Sequence, residues 1–385
     1  MPKIPKVVQK RDLNSQRTRP TKLAAWDGPI SIGVTQSMLS NYLQCKERFR
    51  VKLIDGLSPV DELSIPLEFG NLWHLCEERL AAHEEWEEDV KEYADNLILK
   101  HPGRVDDIVT LYNACLIEFA IYVQFWSEHE DVITRTPLLQ EKNFRVEYDL
   151  PSGRTVLLRG KWDAIDLIGE RDIFLQENKS KTGIQIYKIK NQLKYDLQVM
   201  VYLIAMEQEL VTTGTLPGVP KRNIPSNFRL AGVRYNVVMR ALSGGVGTIK
   251  RKRKTKLRPA ENDEDYYERL RKSIVNHKDE YFKRWKVVVS AEDRNRFKKE
   301  TLDPLLENLC DDYEWWAFCK LERVNPYDYE ARQKGFPHHV NRHFRLPYGI
   351  YHSIAEGGYG KLDNYINEGT IKGLVNNSNF FPELE

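Results

Sequence analysis

The chain has 385 residues, of which 41% are hydrophobic and 30% charged, a composition that fits a folded protein and not a disordered one. Its net charge of +2 is close to neutral for this length, so any binding to nucleic acid must depend on local basic patches. No apolar run approaches the roughly 20 residues that span a bilayer, and the first residues lack the apolar segment of a secretory signal. We therefore expect no membrane partner, and residues 1–30 are expected to form a flexible basic arm.

The cysteines are odd in number and scattered, and none of them forms a C-x-x-C pair. They are Cys45, Cys76, Cys115, Cys310 and Cys319. This pattern argues against a zinc ribbon or a disulfide framework. It favours reduced thiols in a cytoplasmic compartment.

Helical periodicity dominates residues 31–135. The stretch "TQSMLSNYLQCKERFRVKL" begins with a plausible N-cap at Thr35 or Ser37 and continues with apolar residues at helical spacing. Two longer amphipathic stretches, residues 67–93 and 104–129, predict one helix each. This part is expected to be a helical N-terminal region.

The period changes after residue 136, where four short runs alternate as strands do: 143–150, 154–160, 161–168 and 172–179. A long apolar run, residues 191–210, then predicts a buried helix, and residues 230–240 predict one further strand. We therefore expect a core over residues 136–242, built as a mixed central sheet flanked by helices. A basic loop (243–261) and a mainly helical region (262–385) follow, and no linker divides the chain convincingly.

Two of these strands place charge where an aliphatic face ends. Along residues 172–179 the face that begins with aliphatic side chains continues into Glu177 and Lys179, because alternate side chains share a face. Along residues 161–168 the aliphatic face begins at Asp163. Both strands therefore aim a carboxylate from the same side as their core residues.

The register of the hairpin brings the two acids together. If residues 169–171 form a three-residue loop, Ile168 pairs with Asp172, and counting back places Asp163 opposite Glu177. Opposed residues have Cβ atoms about 4.5–5.5 Å apart, so the carboxylates repel unless a divalent cation such as Mg²⁺ joins them. The alternative is that Glu177 and Lys179 lie at a solvent-exposed end of the strand. The aliphatic residues behind both acids disfavour this alternative.

A basic run follows the glycine-rich stretch "SGGVG". Its charged residues are Lys250, Arg251, Lys252, Arg253, Lys254, Lys256 and Arg258. Considered alone, such a run is more often a solvated loop than a binding site. Beside a metal site, it becomes a candidate for contacts with DNA phosphates.

Five short motifs, in order, resemble the PD-(D/E)XK nuclease superfamily and, within it, the RecB-like exonuclease branch of phages and recombination machines. They are the opening segment "TQSMLSNYLQCKERFR", G-x-x-x-H at 70–74, G-x-x-D at 160–163, E-x-K at 177–179 and Q-x-x-x-Y at 198–202. Their order and spacing agree over residues 35–240. The resemblance implies a restriction-endonuclease-like core with helical additions at both ends.

The resemblance also implies roles for the matched residues. Asp163, Glu177, His74 and the main-chain carbonyl of Asn178 would hold one or two Mg²⁺ or Mn²⁺ ions that activate water and stabilise the leaving oxygen. Lys179 would position or deprotonate the attacking water, or neutralise charge in the transition state. These assignments come from the family and not from the spacing alone.

Other positions support two interpretations. In the family, Gln198 and Tyr202 lie on a helix that orients the active site or the bound strand; the less favoured alternative is a satisfied polar pair in a buried helix. His74 by itself would be interpreted as a core or helix-surface histidine. Glu141 falls where related nucleases often have an acid, and Glu78 is expected to be a solvated helix charge.

The sequence departs from the family pattern at two places. Trp162 stands where many members have proline, and this difference weakens the resemblance little. Some relatives bind an iron–sulfur cluster through four cysteines; Cys45 matches the first, but only Cys310 and Cys319 remain near the C-terminus. No iron–sulfur cluster is predicted.

The resemblance thus implies a Mg²⁺-dependent DNA exonuclease that acts in recombination or repair. Its expected location is the cytoplasm of a bacterial or phage-infected cell, with a helicase or annealing protein as a conceivable partner. Two alternatives stay open: a structure- or site-specific endonuclease of the same fold, and a non-catalytic DNA-binding scaffold. The intact acid–acid–lysine set argues against the scaffold.

Overall fold

The computed structural model describes residues 33–59, 63–184, 195–242, 249–256, 259–321, 374–376 and 384. The N-terminal region is helical, as predicted. Its elements are α1 (Gln36–Gln44), α2 (Lys46–Phe49) with a π-helical turn (Arg50–Ile54), β1 (Leu57–Pro59), α3 (Ile65–Ala82), α4 (Glu87–Lys100), a 3-10 turn (Pro102–Arg104), α5 (Val105–Trp126) and α6 (Glu130–Ile133).

The single helix predicted over residues 67–93 is two helices, α3 and α4. The break falls at His83, which caps α3 with a left-handed φ of 60°. Residues 83–85 are exposed and offer no apolar stripe that would continue the helix. Three acidic residues in the first turn of α4 stabilise the new helix N-terminus.

Helix α5 is apolar on most of its surface. By length and mean hydropathy alone, residues 102–126 would suit a membrane span, which the sequence analysis did not anticipate. In the fold α5 packs against α3 and against α8 (Asp263–Asn276), and Leu111, Phe119 and Tyr122 are buried in a core shared with those helices. The apolar surface of α5 is therefore covered largely by protein.

Five strands form the central sheet, in the spatial order β2-β3-β4-β5-β6. They are β2 (Arg135–Asp149), β3 (Thr155–Ile168), β4 (Asp172–Lys181), β5 (Arg229–Met239) and β6 (Phe282–Val288). Only the β4–β5 pair is parallel, and α7 (Leu197–Thr213) lies in the connection between these two strands. This mixed sheet, flanked by helices, is the predicted α/β fold with a restriction-endonuclease-like core.

The predicted hairpin register is confirmed, since Ile168 pairs with Asp172. The two runs predicted at 154–160 and 161–168, however, are one continuous strand, β3. Gly160 lies in its middle and not in a turn. A Cβ there would come within 2.8 Å of the Phe144 ring and 3.0 Å of the Tyr202 ring, so the glycine permits close approach of two aromatic side chains.

The helix predicted over residues 264–285 is wrong at its C-terminal end. Helix α8 (Asp263–Asn276) stops first, α9 (Lys278–Tyr281) adds one turn, and the next residues form β6. Strand β6 pairs antiparallel with the buried strand β5, which would otherwise be an open edge. The sheet therefore extends beyond residues 136–242 into the region predicted to be mainly helical.

A 3-10 turn (Lys221–Asn223) precedes β5. Three C-terminal elements pack against the sheet: α10 (Ala291–Phe297), a π-helical turn (Lys298–Leu302) and α11 (Asp303–Leu321). Strand β7 (Leu374–Asn376) pairs with β1. One core lies between the sheet and α1, α7 and α11, and a second lies between α3, α5, α8 and the end of β5. The two cores meet near β4, where the charged residues lie.

Candidate active site

Strands β3 and β4 bring two buried carboxylates together. Their ladder ends at the pair Ala164–Gln176, and Asp163 and Glu177 each lie one residue beyond it. The Asp163 carboxylate accepts a 2.7 Å hydrogen bond from the backbone N–H of Asn178. Burial, helped by the charge of Asp163, raises the pKa of Glu177 to about 7 against the opposing Lys179 ammonium. The two acids thus feel each other's charge, as the register predicts.

Lys179 lies beside Glu177 and is held by α7. Its Nζ is 2.5 Å from Glu177 Oε1 and donates a 2.7 Å hydrogen bond to Gln198 Oε1. Asp196 caps α7 by accepting the N–H groups of Gln198 and Val199, which fixes the start of that helix. The other Glu177 oxygen, Oε2, is buried without a hydrogen-bond donor among the described residues. A buried carboxylate oxygen in that state suits a cation.

Helix α3 adds His74 from the opposite side of the cleft. Its Nδ1 lies 2.9 Å from Glu141 Oε1 and 3.8 Å from Asp163 Oδ1. Glu141 also contacts the ammonium of Lys161 through Oε2, at 2.6 Å. The ligand atoms of His74, Glu141 and Asp163 all lie within 4.8 Å of one another, a spacing that one metal ion could bridge.

The backbone at Glu141 is strained. Its φ of 41° lies in the left-handed region, which costs a non-glycine residue on the order of 1–3 kcal/mol. The β2–β3 pairs on either side, Gln140–Ala164 and Lys142–Trp162, leave Glu141 opposite Asp163. Strain of this kind at a convergence of charges is typical of functional sites.

Charges balance within the cluster. Three carboxylates, those of Glu141, Asp163 and Glu177, face three cationic side chains. The cations are His74, Lys161 and Lys179. Burial alone would lower the pKa of His74, but the neighbouring Asp163 and Glu141 charges raise it to about 9. A proton on His74 therefore stabilises the acids here, and a metal ion would displace that proton, because only the neutral imidazole binds a metal. Carboxylate oxygens with one neutral imidazole form a donor set that fits a divalent ion such as Mg²⁺ or Mn²⁺.

Four members of the cluster, His74, Glu141, Lys161 and Asp163, line a cleft of about 530 Å³, whereas Glu177 and Lys179 are not in its walls. Its walls come from the start of α1 (residues 35–37), from α3 and α4, from Tyr202 on α7 and from Leu384. Glu78, expected to be a solvated helix charge, lines this cleft, and burial together with the Glu141 charge raises its pKa. The cleft thus gives the charged cluster access to a substrate.

The other predicted site residues divide into two groups. Tyr202 lies in the cleft wall and makes a side-chain hydrogen bond with Gln198. The side chain of Asn178 projects from the opposite face of β4, where its Oδ1 accepts a 2.9 Å hydrogen bond from Asn236. Coordination by the main-chain carbonyl of Asn178 stays a prediction.

None of the described residues of the basic run lines the cleft, and these residues differ in their exposure and contacts. Arg251 stacks over the Tyr266 ring at 4.6 Å and pairs with Asp263, so it fastens the segment to α8. The backbone N–H of Lys252 donates to Glu261. The side chains that project into solvent are those of Lys250, Lys252, Arg253, Lys254 and Lys256. Arg258 lies outside the described residues.

Two members of the cluster were not among the predicted site residues. Glu141 was noted only by its position relative to the first strand. Lys161 was not singled out, although it lies two residues before Asp163 and so projects from the same face. That alternation was the available signal for Lys161, whereas the contact between Glu141 and His74 depends on the tertiary fold.

Comparison with known proteins agrees with this geometry. A family model described as the PD-(D/E)XK nuclease superfamily matches residues 34–319, which include every member of the charged cluster. A search of curated proteins finds no match to the chain.

Proposed function

Since the chain belongs to the PD-(D/E)XK nuclease superfamily, we propose that it is a Mg²⁺-dependent DNA exonuclease of the RecB-like branch. Members of the superfamily use divalent metal ions, and a nuclease of this kind acts on DNA. The observation that carries the proposal is that Asp163 and His74 meet at one cleft, with the buried Glu177 and its partner Lys179 next to Asp163 on the adjacent strand.

Each side chain has a role that its contacts support. Asp163, Glu177, His74 and Glu141 would hold the ion, which when bound supplies Lewis-acid stabilisation of the phosphoryl oxygens and lowers the pKa of water. The Asn178 N–H fixes one oxygen of Asp163 and leaves the other facing His74.

The Lys179 ammonium would orient the attacking water or stabilise negative charge that develops on the phosphate. Gln198 holds that ammonium in place through its side-chain oxygen. Tyr202 would contact the bound strand from the cleft wall.

The finer assignments rest on the motif order and on the walls of the cleft. Helices α3 and α7 flank the charged cluster, an arrangement suited to guiding a strand end inward. The solvent-facing lysines after residue 249 would contact backbone phosphates. The predicted basic arm, residues 1–30, lies outside the described residues. We place the protein in the cytoplasm, in phage-type or bacterial recombination and repair, acting with a helicase or annealing protein.

Digestion of matched linear and covalently closed circular DNA, in Mg²⁺ and in EDTA, tests the proposal. An exonuclease degrades the linear molecule in Mg²⁺ and leaves the circle intact. Cleavage of the circle would instead identify an endonuclease. Binding to DNA without cleavage of either substrate would identify a scaffold.

The control for that assay is the variant Asp163→Asn, which keeps the volume and one oxygen of the side chain but removes the charge. It should retain the fold and lose cleavage. If Asp163→Asn degrades linear DNA as fast as the unmodified protein, the assigned site is wrong.

A further inference from the structure

A second polar network lies behind the candidate active site, on the opposite face of β4. Its centre is the side-chain amide of Asn236 on β5, which is 2% exposed. The amide nitrogen lies 2.7 Å from the hydroxyl of Tyr122, 2.9 Å from Oδ1 of Asn178 and 3.1 Å from Oε1 of Glu77. One amide therefore joins side chains from α5, β4 and α3.

The network contains a buried charge. Glu77 is 5% exposed and accepts hydrogen bonds from Asn236 and from the Tyr122 hydroxyl, while Arg284 on β6 donates to that hydroxyl at 3.0 Å. Burying a carboxylate costs free energy even when it is paired, and an apolar residue would fill the space without that cost. Such groups persist where they specify one arrangement of the surrounding elements.

Two of the joined elements carry candidate metal ligands. Glu77 follows His74 by three residues on α3, so both side chains lie on neighbouring positions of one helix face. Asn178 stands between Glu177 and Lys179 on β4, and its backbone N–H fixes Asp163. Any rotation of α3 or shift of β4 would therefore displace His74 relative to the two acids.

We propose that Asn236, acting through Glu77 and Asn178, is a positioning residue that sets the distance between His74 and the Asp163–Glu177 pair. This inference rests on the proposed metal site. Substitution of a group that orients a metal ligand typically weakens metal binding by about 10–100-fold. The predicted effect is on the affinity for the metal ion and can be measured without cleavage of DNA.

The test is Mn²⁺ binding to the full-length protein, measured by titration calorimetry without DNA and well below the melting temperature of each variant. Glu77→Gln and Asn236→Leu should weaken Mn²⁺ binding by about ten-fold or more. The matched control is Glu118→Gln, the same chemical change at a fully buried carboxylate of α5 whose partner is the backbone of Ala241. That control should keep the affinity of the unmodified protein within about two-fold.

If Asn236→Leu fails to fold, Glu77→Gln and Tyr122→Phe decide the matter, because each removes hydrogen-bonding groups with little change in volume. Folded network variants that bind Mn²⁺ as tightly as Glu118→Gln would overturn the positioning role. Unmodified protein that binds Mn²⁺ but cleaves no DNA would overturn the proposed function instead, and unmodified protein that binds no Mn²⁺ would overturn both.

Discussion

The two faces of β4 bury polar groups in different ways. On the rear face, Gln176 accepts a hydrogen bond from Arg234, and Arg234 donates a 2.6 Å hydrogen bond to Asp166. On the front face, Glu177 has one oxygen against Lys179 and one without a donor among the described residues. The rear charges Arg234 and Asp166 pair with each other, although Asn236 Oδ1 also lacks a hydrogen-bond donor among the described residues, whereas on the front Asp163 lines a cleft.

This difference distinguishes polar groups that stabilise the fold from polar groups that could bind a ligand. A buried ion pair such as Arg234–Asp166 has no route to a ligand, and its contribution is to the arrangement of the strands. On the front, burial raises the pKa of Asp163 and of Glu177, and a neighbouring carboxylate raises each further, Glu141 for Asp163 and Asp163 for Glu177. Glu141 itself has a strained backbone. A bound cation is therefore expected to stabilise the front carboxylates more than it would the rear ion pair.

The largest effect is expected from the front face. Lys179→Met preserves much of the side-chain volume but removes the ammonium, so kcat for DNA cleavage should fall by about 10³-fold or more. The measurement is single-turnover cleavage of linear DNA in Mg²⁺, with circular dichroism to verify the fold. Cleavage within ten-fold of the unmodified rate would remove Lys179 from the catalytic machinery.

On the rear face, Arg234→Met should lower the free energy of unfolding by about 3–5 kcal/mol, because it leaves Asp166 buried beside only the more distant Arg135. Chemical denaturation measures the loss. The double variant Arg234→Met/Asp166→Leu is the control and should recover part of it, since both charges are removed. A single variant as stable as the unmodified protein would contradict a structural role for the pair.

Packing at Gly160 on β3 can be tested apart from the charged groups of both faces. Gly160→Ala would place a methyl group against the Phe144 and Tyr202 rings and should cost about 1–3 kcal/mol. Thermal denaturation measures the cost. Combining it with Phe144→Leu, which vacates the nearest contact, should make the added methyl less destabilising, and an equal cost in both backgrounds would refute the steric explanation.

Glu207 on α7 provides a reference carboxylate, because its pKa is lowered whereas the pKa values of Asp163 and Glu177 are raised. Burial alone would raise its pKa, but hydrogen bonds from Arg294 and Lys298 lower it below the ordinary value. A depressed folded pKa stabilises the protein above the unfolded value of about 4.3. That stabilisation is lost as the pH falls through the folded pKa.

Glu207→Gln should therefore cost about 1 kcal/mol at pH 7 and progressively less below about pH 4.3. Urea denaturation across this pH range, against the unmodified protein, measures the difference. A cost that does not change with pH would show that the ion pairs of Glu207 contribute little.

The smallest effect is expected in the basic segment, which touches neither face. Lys254→Ala should weaken DNA binding a few-fold and reduce the slope of log affinity against log salt by just under one, as for the loss of one phosphate contact. Binding is measured in Ca²⁺ at several salt concentrations. Cleavage at saturating DNA should be unchanged, and an unchanged salt slope would remove Lys254 from the DNA interface.

Much of the front face could be predicted because it is local in sequence. Asp163, Glu177 and Lys179 lie on one hairpin, and alternation together with the loop length determines which side chains meet. The hairpin register, Ile168 with Asp172, is accordingly confirmed. The helices predicted N-terminal to the sheet are also present, apart from the breaks at Cys45 and at His83.

The parts that could not be predicted depend on tertiary contacts. Strand β6 continues a helical pattern in sequence, and only pairing with the distant β5 makes residues 282–288 extended. Glu141 approaches His74 across 67 residues, and Asn236 approaches Glu77 across 159. No local period encodes such contacts, so the full ligand cluster and the network behind it required the fold.

The most direct test of the account is a crystal of the protein grown with Mn²⁺ and measured at a wavelength where manganese scatters anomalously. The account predicts a peak in the cleft within about 2.0–2.3 Å of oxygens from Asp163 and at least one of Glu141 and Glu177. It would be contradicted by manganese bound elsewhere on the protein while these carboxylates keep only their protein partners.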